Sequence, residues 1–163
     1  MTLNWDRIPN WNDLRIPFFL LLCVYLVLGV TVLGFNRSPV QILSTITFAC
    51  LLDMALHYSF KGRQLLFPLS AAITGASLSI LVNYAHGIWY PMVPVFFAIA
   101  SKYLLTVNGR HVFNPSLFGI VLSLWFADGM ISASPAYQWG GSIAVAIFIV
   151  TCLLYTSDAA DDS

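Results

Sequence analysis

Long apolar blocks parted by short polar clusters dominate this chain, and block length rather than face-to-face alternation carries the signal. A helix needs about 20 mainly apolar residues to cross about 30 Å of hydrocarbon. Blocks of that kind fall at residues 16–35, 39–60, 65–84 and 90–107, and each is read as a membrane span. The first, after the polar segment 1–15, exceeds the apolar core of a secretory signal and no A-x-A site follows it, so it is expected to stay as an anchor. The second opens on Pro39, tolerated at a helix start, and closes at Lys61-Gly62-Arg63. In the third, Ala71, Gly75 and Ser79 recur every fourth position, the spacing that lets helices approach closely, which predicts a packed interior helix. A fifth segment, 115–127, reaches only about 20 Å at 1.5 Å per residue and is expected to be a short or half helix. A sixth starts near Trp139 and is still apolar at residue 151. The fold class expected is all-α: a polytopic helical membrane protein with about six apolar segments.

Composition sharpens this picture. Of 163 residues 59% are hydrophobic and 9% charged, with no Glu, against roughly a quarter charged in soluble domains. Mean hydropathy is +0.82, so a globule in water would expose apolar surface far beyond tolerable patches. Formal net charge is 0, which leaves no basic patch for a run of phosphates and excludes nucleic acid as a partner. Cys23, Cys50 and Cys152 lack metal-ligand spacing, and no metal site is expected. With the N-terminus inside, Arg7, Arg15, Lys61, Arg63, Lys102 and Arg110 fall on the cytoplasmic side and Arg37 alone outside, as the positive-inside rule asks. Trp89, Tyr90, Trp125, Tyr137 and Trp139 then collect at the outer interface as an aromatic belt.

The end of the chain reads differently. Residues 152–162, Cys-Leu-Leu-Tyr-Thr-Ser-Asp-Ala-Ala-Asp-Asp, resemble a conceptual translation of a sequencing-library adapter. Residues 152–163 are therefore expected to be a non-native tail, and 16–151 an incomplete transmembrane domain of a longer protein.

Two groups of residues carry candidate chemistry. Asp53 and His57 stand four apart in the second span, on one helical face, and an intramembrane carboxylate marks an ion or proton pathway by default. A local ion-pair network with Lys61 and Arg63 is the competing reading. In Gly109-Arg110-His111-Val112-Phe113-Asn114-Pro115, Asn114 is suited to cap the fifth helix and Pro115 to begin it. The helix start and Arg110 together suit a phosphate or a reduced quinone oxygen, against a bland reading of cap plus positive-inside charge. His86 and His111 lie on opposite sides in this topology, too separated for one metal. No Walker loop, dinucleotide fingerprint, HExxH or nucleophile elbow occurs.

The run Gly-Arg-His-Val-Phe-Asn-Pro, after a helix ending Lys-Tyr-Leu-Leu, resembles the family holding the D subunit of the Rnf electron-transport complex and the B subunit of the sodium-pumping NADH:quinone oxidoreductase. It is most similar to the branch found with enediyne-biosynthesis genes. The likeness covers residues 67–150, with Ser70-Ala71-Ala72-Ile73-Thr74-Gly75 as weaker support. It implies related helical halves, FMN or riboflavin as cofactor, electron flow coupled to cation movement, and a place in secondary metabolism. It also implies partner subunits of a redox complex, quinone, and the inner membrane of a bacterium. Arg110, His111, Asn114 and Pro115 would then shape a flavin or quinone pocket. The family's flavin-attachment pattern, Asp-x-x-(Ser/Thr)-Gly-Ala-Thr, meets Asp128-Gly129-Met130-Ile131-Ser132-Ala133-Ser134 here. Ser134 replaces the phosphoester-forming Thr, and Ser132 replaces the Gly. Two rivals to a redox subunit are a non-redox transporter, with the broken fifth helix and Asp53 forming a midplane site, and a non-catalytic scaffold docking soluble partners through its basic loops.

Overall fold

The computed structural model describes residues 13–35, 37–60, 67–84, 87–107, 110–111, 113–126 and 129–134. Five helices, α1 (Arg15–Thr31), α2 (Pro39–Phe60), α3 (Leu69–Leu81), α4 (Met92–Leu104) and α5 (Pro115–Phe126), account for most of these residues, as an all-α chain requires. Four short strands, β1 (Val82–Tyr84), β2 (Thr106–Val107), β3 (Arg110–His111) and β4 (Ile131–Ala133), make two small antiparallel ladders, β1 with β4 and β2 with β3.

Successive helices run up and down. Gln41 near the start of α2 bonds the Gly87 carbonyl ahead of α4, while Tyr103 near the end of α4 bonds Asp53 further along α2. One end of the bundle therefore holds Arg37, Tyr84 and Ser134, and the other holds Asp53, Ser70 and Lys102.

The central element is α3, which packs against α1, α2, α4 and α5. Its small residues cause this. Ala71 and Ser79 are fully buried, and a Cβ on Gly75 would stand 3.0 Å from the Ile46 Cα and 3.2 Å from the Ala49 Cβ. The expected interior helix is thus seen, with Gly75 as its point of closest approach to α2. Phe18, Leu22 and Leu26 of α1 pack with Ile73 and Ile80 on one side of α3, and Leu78, Val95 and Ile99 pack on the other.

Several helical hydroxyls are satisfied locally, whereas Ser79 Oγ has no partner among the described residues. Thr31, Thr45, Thr74 and Ser123 each donate to the carbonyl four residues back, at 2.6–2.9 Å. That habit removes a polar group from an apolar surrounding without needing water.

The helices are shorter than the apolar blocks. Among the described residues α2 alone is long and apolar enough to cross a membrane; the other four have 12 to 17 residues. The first block ends early because Val32 and Leu33 bond back to the Leu28 carbonyl, Gly34 turns at φ +67°, and Phe35 N–H reaches the Gly29 carbonyl. The Phe35 ring then fills the place a Cβ on Gly29 would take. The third and fourth blocks yield their last residues to β1 and β2, since hydropathy weighs apolarity and is blind to backbone pairing. The short fifth helix is as expected, at 12 residues. The sixth segment, the tail and the segment 1–12 lie outside the described residues.

Candidate functional site

Ser134 is placed by β4. The register Val82↔Ala133 is prolonged by Ser134 N–H donating to the Leu81 carbonyl at 2.8 Å. Its hydroxyl donates to the Ile80 carbonyl at 2.9 Å and accepts from Arg37 Nη2. Ser134 is 8% exposed. Asp128 lies outside the described residues.

Arg37 was read from sequence as a lone loop charge at the outer face, but it is 6% exposed. Its guanidinium carbon stands 5.5 Å from the ring centroids of both Phe35 and Tyr84, a geometry in which aromatic faces favour a cation. Burial lowers its pKa to about 10, opposed by Tyr84, so it is charged at neutral pH. Among the described residues Arg37 Nε and Nη1 have no hydrogen-bond partner, and the Tyr84 hydroxyl, beside Thr45, makes no bond of ordinary geometry. The signal that could have found Arg37 is its isolation: a single cation between two apolar blocks, flanked by Phe35 and Ser38-Pro39.

Next to Arg37 the start of α2 forms a reciprocal cap. Gln41 N–H donates to Ser38 Oγ at 3.2 Å, and Ser38 N–H donates to Gln41 Oε1 at 3.0 Å. These residues line an open groove of about 460 Å³ together with Phe35, Gly87 and Ile88.

At the other end Asp53 Oδ1 accepts from the Tyr103 hydroxyl at 2.9 Å, which ties α2 to α4. Lys102, 8% exposed, sends Nζ to the Ser70 carbonyl at 3.3 Å and Ser70 Oγ at 3.2 Å, with Asp53 and Cys50 in electrostatic reach. Asp53 thus lies in electrostatic reach of a buried lysine from α4, a neighbour that helical spacing within α2 had no means to reveal. His57 is half-buried one turn on, and no hydrogen bond joins it to Asp53. Lys61 and Arg63 lie outside the described residues. No group of three or more His, Cys, Asp or Glu side chains among the described residues is placed to hold a metal.

Asn114 does cap α5. Its Oδ1 accepts from Ser116 and Leu117 N–H at 3.0 and 3.3 Å, and Pro115 is the first helical residue. Two of the donors that an anion would use are therefore occupied. Arg110 and His111 form β3, and their side chains lie outside the description. Replacing Asn114 with Ala is expected to cost about 1 kcal/mol, measured as a lowered thermal midpoint, while Asn114→Asp should hold the wild-type value. Set against known family models, curated proteins and solved structures, the chain matches none of them.

Proposed function

We propose that the chain is a membrane subunit of an electron-transfer or ion-translocating system of the Rnf D and Nqr B type. It sits in the inner membrane of a bacterium with its N-terminus inside and several helices crossing or entering the bilayer. One observation supports the membrane setting above others: the inside-out distribution of side chains. Val27, Leu43, Leu51, Leu117 and Trp125 are 61–82% exposed on the helix flanks, while Arg37, Thr45, Ser79 and Lys102 are buried. Water would penalise that arrangement and lipid favours it. Retention of the full chain in membranes after alkaline carbonate washing tests this, and release into the supernatant removes it.

The redox part of the proposal rests on the Gly109–Pro115 run and its neighbours. Ser134 does not fit covalent flavin attachment: its hydroxyl is buried and engaged on both sides, and β4 holds it there. Any FMN or riboflavin is bound without a bond to Ser134. The absorbance spectrum of the purified protein is the test of bound flavin, and Ser134→Ala should leave that spectrum and the denatured protein's fluorescence unchanged. Covalent flavin lost in Ser134→Ala would falsify this account of the site.

A transporter without redox chemistry is the second reading, favoured by the half-buried Asp53 near the buried Lys102 at one end of the bundle. Cation flux without bound flavin selects it.

A further inference from the structure

The groove at the Arg37 end takes no part in the reading above. A buried cation without a carboxylate partner is unfavourable. Among the described residues the carboxylates are Asp13 and Asp53, and both belong to the opposite end of the bundle. Ser134 supplies a neutral oxygen to one guanidinium nitrogen and leaves Nε and Nη1 bare. Arg37 also lines the groove, on the side away from any described carboxylate. The start of α2, a 22-residue helix, adds its positive dipole end at Ser38. The remaining wall is apolar and open: Val40 is 62% and Ile88 51% exposed. A volume of about 460 Å³ gives far more room than one phosphate fills. The occupant therefore has an anionic head with several acceptor oxygens and an apolar body.

We propose that this groove binds an organic phosphate, with the phosphate on Arg37 and the apolar body against Val40 and Ile88. Phosphate suits the site because it carries several acceptor oxygens and a guanidinium is its favoured partner. The source is a lipid headgroup or a soluble phosphate ester, and the site holds whether or not the protein carries a flavin.

The full chain in detergent micelles is titrated in two arms, one with inorganic phosphate and one with phosphatidylglycerol, following the thermal midpoint and bound lipid by native mass spectrometry. Phosphate that raises the midpoint identifies a soluble ligand, and retained phosphatidylglycerol without a phosphate response identifies a lipid. In either case Arg37→Gln weakens binding by at least about tenfold, the loss of a charge-assisted contact, and Arg37→Lys recovers part of it. Should Arg37→Gln fail to fold, Gln41→Glu sets a negative charge at the rim without removing Arg37, and it must weaken binding similarly. No response in either arm, or equal binding by the folded variants, overturns the proposal.

Discussion

Gly119→Ala lowers the stability of the bundle by about 2 kcal/mol, read as a drop in thermal midpoint in micelles. Alanine is ordinarily worth about 1 kcal/mol more than glycine inside a helix, so the sign of this result is diagnostic. A Cβ at Gly119 overlaps the Pro94 carbonyl oxygen and falls 2.8 Å from the Ala98 Cβ. Neither neighbour is the loose end of a side chain. The α5 helix must move off α4, and the Phe97–Phe126 stacking at 5.8 Å moves with it. Gly34→Ala is the control: nothing lies within 4 Å of its Cβ, and the cost, about 1 kcal/mol, comes from φ +67° alone. A Gly119→Ala protein as stable as wild type would mean that α4 and α5 do not touch there.

Asp53→Asn abolishes cation flux in proteoliposomes, by at least about tenfold, and destabilises the fold by about 2 kcal/mol. The two effects have separate causes. Stability falls because Lys102, buried and bonded otherwise to the neutral Ser70, loses its compensating charge. Flux falls because Asp53 is the one carboxylate within the described helices, half-buried and held by Tyr103. Adding Lys102→Met to Asp53→Asn removes the stranded cation and should restore most of the stability without restoring flux. If flux survives in Asp53→Asn, the carboxylate is a counter-ion for Lys102 and the ion pathway assigned to Asp53 and His57 is lost.

These two sites differ in how visible they were beforehand. The small-residue stripe of α3 announces close packing by its spacing, and Asn114-Pro115 announces a capped helix start, because both effects are local in the chain. Gly119 shares the same spacing with Ser123 and Ala127, but what it packs against is set from afar: Pro94, 25 positions earlier, turns a carbonyl toward it. The same holds for Ser134. Its place in a flavin-attachment pattern suggested an available hydroxyl, yet a strand pairing with residues 82–84 and an arginine from before α2 consume it. Lys102 reads as a helix-end cation under the positive-inside rule and is nonetheless enclosed by α3.

Chain chemistry by itself determined the helical class, the start and end of α2 at Pro39 and Phe60, the shortness of α5 and the interior position of α3. Each follows from apolar run length, capping chemistry or side-chain size within one segment, and these act whatever the rest of the chain does. Tertiary structure alone decided where the apolar blocks stop being helix, and which charges are buried. Those outcomes depend on pairings between distant segments, such as Tyr84 with Ile131 and Arg37 with Ser134. A buried charge is tolerated only where such partners converge on it.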